Sequence, residues 1–177
     1  MTDTTLFPAA ACVQFPIALG EPARNLERVV RLVDGYRPAP GTLLVLPEMW
    51  ATGFAYERVA EMGRRTPELL AALQELAARH RCWFGGTLTE GSDQGRAYNT
   101  FFLVNGDGVA GRLAKRSLFT LWQEDHYYVP GHDPGPLSTP HGRLGALVCY
   151  ELRFPELARR QVFAGSRLLA VAAEWPQ

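Results

Sequence analysis

Three side chains in this sequence have the types needed for acyl-transfer chemistry: Glu48, Lys115 and Cys149. A cysteine thiol has a pKa of about 8.5 and is only slightly ionised at neutral pH, so a cysteine nucleophile needs a nearby base or cation. A carboxylate at Glu48 could take the thiol proton and pass it to a departing amine, while an ammonium at Lys115 could stabilise a tetrahedral oxyanion and the thiolate. Spacing alone leaves blander readings open. A cysteine inside an apolar strand is commonly a small buried hydrophobe, a glutamate after a strand is commonly solvated, and a lysine in the basic stretch GRLAKR commonly lies on the surface.

What could unite the three is their place at strand ends. The run TLLVLP (42–47) reads as a strand buried on both faces and is followed by Glu48. YNTFFLV and VAGRLAK flank the turn Asn105-Gly106-Asp107-Gly108, a hairpin signal whose second arm ends at Lys115. LGALVCY (144–150) reads as a strand closing at Cys149, before a turn and the helix RFPELARRQVF. Open α/β sheets bind ligands beyond the carboxyl ends of their strands, and a nucleophile on a strand-to-helix turn lies near backbone N–H groups that can hold an oxyanion.

The remaining pattern supplies the scaffold. Residues 9–15 read as a first strand, and Leu26, Val29, Val30 and Val33 follow helical spacing. Thr66 and Pro67 predict the N-cap and first position of a helix that carries Leu69, Leu70, Leu73, Leu76 and Ala77 and ends near His80. CWFGGTLT and RLLAVAA add strands, and residues 120–142, rich in Pro, Gly, His and Asp, read as a long ordered loop. The order of elements predicts one α/β (α+β layered) domain over residues 1–177, with helices on a mixed sheet.

Composition narrows the function classes. Lys plus Arg equals Asp plus Glu at 18 each, and the arginines are spread along the chain, so nothing favours nucleic acid or an anionic membrane surface. No apolar run approaches the about 20 residues of a membrane span, and the start MTDTTLFPAA does not read as a signal peptide, so a cytoplasmic location is the expectation. The cysteines, Cys12, Cys82 and Cys149, suit neither a disulfide framework nor a CxxC zinc site; Cys12 and Cys82 read as buried small hydrophobes.

The local sequences go further than spacing. LPEMWATGF around Glu48, GRLAKRSLF around Lys115 and LVCYELRFPE around Cys149 resemble, in order, the three motifs of the nitrilase superfamily of carbon–nitrogen hydrolases; YNT at 98–100 and the terminal AAEWP fit the same pattern. The resemblance covers nearly the whole chain. It implies Glu48 as general base, Lys115 as oxyanion stabiliser and Cys149 as a nucleophile that forms a thioester, with no metal and no organic cofactor. It also implies a four-layer α-β-β-α sandwich, commonly homodimeric. A second glutamate that positions substrate is best matched by Glu124 in TLWQEDHYYVPG, where the alternative is an exposed loop carboxylate. Tyr150 is expected to give its backbone N–H to the oxyanion hole. Arg153 and Glu156 are expected to anchor the turn by ion pairing, and Trp175 to line the pocket or the core. His126 could compete as a Cys–His partner of the thiol, but Glu48, Lys115 and Cys149 already fill those roles.

Within the family the motifs look most like the ω-amidase branch, which hydrolyses the terminal amide of 2-oxo dicarboxylate monoamides such as 2-oxoglutaramate or 2-oxosuccinamate. Ser117 and Glu151 stand where many relatives have His and Asp, which bears on substrate preference. Tyr150 stands where nitrile-cleaving members have Trp. Alternatives are another amidase or an N-carbamoyl hydrolase. Because the family domain continues well past this Trp-Pro, the sequence ending at Gln177 is expected to lack the C-terminal part, as a fragment or a natural truncation. A catalytically inactive remnant serving as an interaction protein is the reading of a different class.

Overall fold

Strand and helix alternate through the first part of the chain: β1 (Ala10–Cys12), α1 (Pro22–Tyr36), β2 (Leu43–Val45), α2 (Val59–His80) and β3 (Trp83–Gly91). An antiparallel hairpin follows, β4 (Ala97–Asn105) and β5 (Gly108–Ala114). The short helix α3 (Glu124–Tyr127), β6 (Leu137–Thr139), β7 (Gly142–Val148), α4 (Pro155–Phe163) and β8 (Ser166–Ala172) complete the fold. The computed structural model describes residues 6–91, 96–132 and 135–175.

The first five strands form one sheet in sequential order, parallel across β1, β2 and β3 and antiparallel across β3, β4 and β5. β5 therefore runs in the same direction as β2, and the carboxyl ends of both open on one edge of the sheet. The second sheet is β6-β7-β8, with β7 parallel to β8 across the α4 crossover.

Period-two alternation divides the strand side chains between two cores. Phe84, Phe102 and Val104 face Val29, Val33, Leu69, Leu73 and Leu76 of α1 and α2. Leu43, Trp83, Phe101 and Leu103 face Leu144, Ala146, Val148, Ala170 and Ala172 of the second sheet. α4 covers the outer side of β7 and β8, its buried Gln161 reaching the Ala146 carbonyl. The layers run helix, sheet, sheet, helix, which is the expected α-β-β-α sandwich.

Several local expectations are corrected. α2 starts at Val59, with Pro67 inside it, because the Thr66 hydroxyl donates to the Thr89 carbonyl rather than capping a helix start. The 120–142 segment carries a 3-10 turn at Thr120–Trp122 as well as α3 and β6; His132 is described, while 133 and 134 lie outside the described residues. The first strand is only Ala10–Cys12, and Cys12 is exposed because only the opposite face of β1, carrying Ala11, packs against a core, whereas Cys82 is buried. Among the described residues no helix is long and apolar enough to cross a membrane.

Candidate active site

Three backbone devices aim the side chains. After β2, Leu46 N–H donates to the Gly85 carbonyl at 2.7 Å, and the chain turns through Met49, whose φ is 48°. That turn is pinned by Met49 N–H donating to Thr87 Oγ1 at 2.7 Å and is packed so closely that a Cβ on Gly86 would lie 2.7 Å from Leu46 Cβ. Lys115 follows β5 directly; its N–H donates to the Asn99 carbonyl at 2.8 Å and its own carbonyl accepts from Gly131 N–H at 2.8 Å. β7 ends at Val148, and Cys149 opens a 3-10 turn (Cys149–Arg153) with φ 44°, a left-handed conformation unusual for a residue with a Cβ. Non-glycine residues in this region border the site at Met49, Gln123 and Cys149, where strain of this kind tends to be held in place by surrounding contacts.

The holding contact at Cys149 comes from Glu151. Its buried carboxylate accepts from Val148 N–H at 2.8 Å, Arg116 N–H at 2.7 Å, Arg116 Nε at 2.9 Å and Arg116 Nη2 at 3.2 Å. The Lys115–Arg116 segment and the Cys149 turn are thus clamped together. Among the described residues Arg153 and Glu156, expected to anchor this turn, form no ion pair that does so: both are exposed, and Arg153 sits over the Trp175 ring at 5.2 Å. Arg116 reaches Glu151 because it follows the end of β5, a proximity that local sequence does not display.

Lys115 is the hub of the charged cluster. Its Nζ donates to Glu48 Oε1 at 2.8 Å and to Glu124 Oε2 and Oε1 at 2.7 and 3.0 Å. Asn99 Nδ2 bridges the same two carboxylates, at 2.8 Å to Glu48 and 3.0 Å to Glu124, and Phe119 N–H donates to Glu124 Oε2 at 2.7 Å. Glu48, Lys115 and Glu124 are 0, 1 and 1 % exposed. The alternative of an exposed loop carboxylate at Glu124 therefore does not describe this fold. Buried charges persist when paired and hydrogen-bonded, and this cluster supplies two anions, one cation and an amide.

Burial raises the Glu48 carboxyl above the ordinary carboxylate range against the pull of Lys115, and the Glu124 charge adds to the rise. For Lys115 burial works to discharge the amine, but Glu48 and Glu124 outweigh it and hold the ammonium above its usual value. The Cys149 thiol is pushed up to about 12, first by burial and then by the Glu48 charge. The resting thiol is therefore protonated at neutral pH. Glu48 Oε2 is buried and, among the described residues, has no hydrogen-bond partner, which leaves an acceptor free in this cluster.

A cavity of about 230 Å³ opens on these groups. Glu48, Lys115, Glu124, Cys149 and Glu174 supply its polar wall, and six rings supply the rest: Phe54, Tyr56, Phe119, Trp122, Tyr150 and Trp175. Phe119 touches Trp122 and Tyr150, with centroids 5.5 and 4.9 Å apart. Trp175 takes the pocket position rather than the core. The Tyr150 ring is itself part of the cavity wall, where sequence reasoning assigns only its backbone. His126 is exposed and lines a different depression with Tyr56 and Arg64, so it does not meet the thiol. Neither Asn99 nor Glu174 is marked out by its local sequence, although they lie inside the YNT and AAEWP motifs. Among the described residues no group of three His, Cys, Asp or Glu side chains is arranged to hold a metal ion.

Comparison with known proteins places the chain. The carbon-nitrogen hydrolase family matches residues 9–176. The 2-oxoglutaramate amidase of Bacillus subtilis is 28% identical, covering 94% of this chain and 64% of that protein. The omega-amidase YafV of Yersinia enterocolitica is 32% identical, covering 93% of this chain and 62% of that protein. The chain thus spans less than two thirds of the length of these relatives. Among solved structures, Nit3 of Saccharomyces cerevisiae, a member of the nitrilase superfamily, superposes with a TM-score of 0.82 at 24% identity over 95% of this chain and 65% of that one. On this match, and with a fold of the same architecture, the chain belongs to the carbon–nitrogen hydrolase family.

Proposed function

We propose that the protein is an amidase that cleaves a linear terminal amide through a Cys149 thioester, and that its substrate is a 2-oxo dicarboxylate monoamide such as 2-oxoglutaramate or 2-oxosuccinamate. The observation that carries the reading is the buried Glu48–Lys115–Glu124 cluster opening into the same cavity as Cys149. The substrate class follows the amidase relatives, at 28 and 32% identity.

Cys149 Sγ attacks the amide carbon while its proton passes to Glu48 Oε2, the acceptor with no other partner. The oxyanion is met by Lys115 and by the Tyr150 backbone N–H. The carbon–nitrogen bond then breaks and the Glu48 proton leaves with the nitrogen as ammonia. Water, deprotonated by Glu48, attacks the thioester; the carbon–sulfur bond breaks, the acid departs and the thiol regains its proton. Glu124 keeps Lys115 charged and placed throughout.

The aromatic lining favours a second reading, a neutral amide of a more apolar acid. An ammonia-release screen separates the two. 2-Oxoglutaramate is expected to be cleaved faster than butyramide, glutamine or simple nitriles, with an acyl adduct visible by intact mass during turnover and absent in Cys149→Ala. Full activity in Cys149→Ala would refute the thioester, and equal rates on nitriles would refute the substrate class.

A further inference from the structure

The proposed mechanism leaves Glu174 without a task, yet it stands beside the nucleophile. Just after β8 its backbone carbonyl lies 3.6 Å from Cys149 Sγ as acceptor, and its side chain lines the cavity that holds the thiol. The Oε2 atom is shielded from solvent and has no hydrogen-bond partner among the described residues. A shielded polar oxygen with no partner is costly, and a ligand atom that completes it recovers that cost. Among the described residues lining the cavity Lys115 is the single cation, and it already bonds both Glu48 and Glu124. Among the described residues, a substrate carboxylate inside the cavity therefore meets no unshared cation on the lining, the nearest other cation being Arg153 at the rim over Trp175.

We propose that Glu174 is a specificity-determining residue of this cavity: protonated, its carboxyl donates the O–H to the carboxylate of an amide substrate, and ionised, it repels that carboxylate. The inference rests on the monoamide substrate class proposed above. An O–H···O⁻ bond between an acid and a carboxylate is short and among the stronger hydrogen bonds available to a neutral donor. Burial, followed by the charge of Glu48, raises Glu174 to about 7, so both forms are populated around neutrality. The other titratable groups facing the cavity are Glu48, Glu124, Lys115, Cys149, Tyr56 and Tyr150, with Arg153 at the rim over Trp175. Substitution at 174 separates its contribution from that of Glu48, the other carboxyl in the cavity that burial raises.

The test compares alkylation of Cys149 by iodoacetate and by iodoacetamide from pH 6 to 8.5, on the wild type and on Glu174→Gln. Both reagents react with the same thiolate, so its ionisation cancels in the rate ratio and only the charge met by the incoming reagent remains. In the wild type the iodoacetate-to-iodoacetamide ratio is expected to fall roughly 5- to 10-fold as pH rises through 7, for a partly solvent-screened charge at contact range. In Glu174→Gln, which keeps a donor and cannot ionise, most of that fall disappears. A flat ratio in the wild type overturns the proposal without any variant, and a fall of the same size in Glu174→Gln overturns it by assigning the charge elsewhere. The kcat/KM ratio of 2-oxoglutaramate to butyramide is read over the same pH range. If butyramide is cleaved and 2-oxoglutaramate is not at any pH, the substrate class fails, while the alkylation ratio still decides the role of Glu174.

Discussion

Glu151 offers the most direct test of how Cys149 is held. Its two oxygens accept four N–H groups: Oε1 takes Arg116 N and Nε, and Oε2 takes Val148 N and Arg116 Nη2. Glu151→Gln keeps the shape but only one acceptor oxygen. Its amide must face either the Val148 N–H and Nη2 or the Arg116 N–H and Nε, setting donor against donor. An unsatisfied buried donor costs about 1–3 kcal/mol, and breaking a buried ion pair costs about 3–5 kcal/mol. The side chain is fully buried, so a loss of about 3 kcal/mol is the expected minimum. For a chain of this size that lowers Tm by about 6–12 °C. Arg116→Met is expected to destabilise as well, and the double variant by less than the sum, with a coupling of about 1–3 kcal/mol. Because the clamp fixes Val148 immediately before the left-handed Cys149, kcat for ammonia release should fall about tenfold, or 1.4 kcal/mol, with KM changing less. A Glu151→Gln protein within 0.5 kcal/mol of wild type by urea denaturation, or single effects that add, would refute the clamp.

The remaining predictions address the cluster and its support. Glu124→Gln removes one of the two anions on Lys115, and kcat should fall by about 10²-fold, on the scale of losing one positioned group; an unchanged kcat would take Glu124 out of the chemistry. With its thiol pushed up to about 12, Cys149 favours the protonated form at neutral pH. Labelling by iodoacetamide should thus rise about tenfold per pH unit from 7 to 10, and a plateau near pH 7 would reveal a preformed thiolate. Glu48→Gln deletes a charge that raises the thiol, so it should label faster while failing to form the acyl adduct; slower labelling would contradict that coupling. Gly131→Ala would bring a Cβ to 2.5 Å from Ala114 Cβ and 2.6 Å from its carbonyl, beside the backbone that carries Lys115, and should cost about 1–3 kcal/mol by thermal melting.

How much of the fold and site is legible in the sequence depends on whether the signal is local. Strands β2, β5 and β7 and the Asn105–Gly108 hairpin turn carry their own apolar periods and turn residues, so the amino-acid pattern by itself sets Glu48, Lys115 and Cys149 at strand ends. The direction of β5 is another matter, because it follows from pairing with β4 and β3 and not from its own residues. Thr66-Pro67 is a strong local helix-start signal that points to the wrong start for α2, because the tertiary bond from Thr66 to Thr89 overrides it. Nearness in sequence points to Arg153 and Glu156 as anchors of the Cys149 turn. The partner that the fold supplies is Arg116, separated from Glu151 by 35 positions. Asn99 is hidden for a similar reason: an asparagine in a strand has no local mark of bridging two carboxylates that arrive from other elements.

The pairing of one lysine with two glutamates follows from what the proposed reaction does to charge. A lone buried ammonium would tend to discharge, since burial works against it. Glu48 alone could hold it charged in the resting state, but not during the chemistry, because Glu48 becomes neutral when it takes the Cys149 proton. At that moment negative charge has moved through sulfur to the substrate oxygen, and a cation is needed most. Glu124, with both oxygens on Lys115 and one held by Phe119 N–H, is the counterion that stays. Asn99 holds the two carboxylates in register without adding charge. The arrangement keeps Lys115 a cation on both sides of the proton transfer, so stabilisation can pass from Glu48 to the oxyanion without any side chain crossing the cavity. A thiol held protonated at rest fits the same logic, because separated charge then appears only when a carbonyl carbon is in place to receive it.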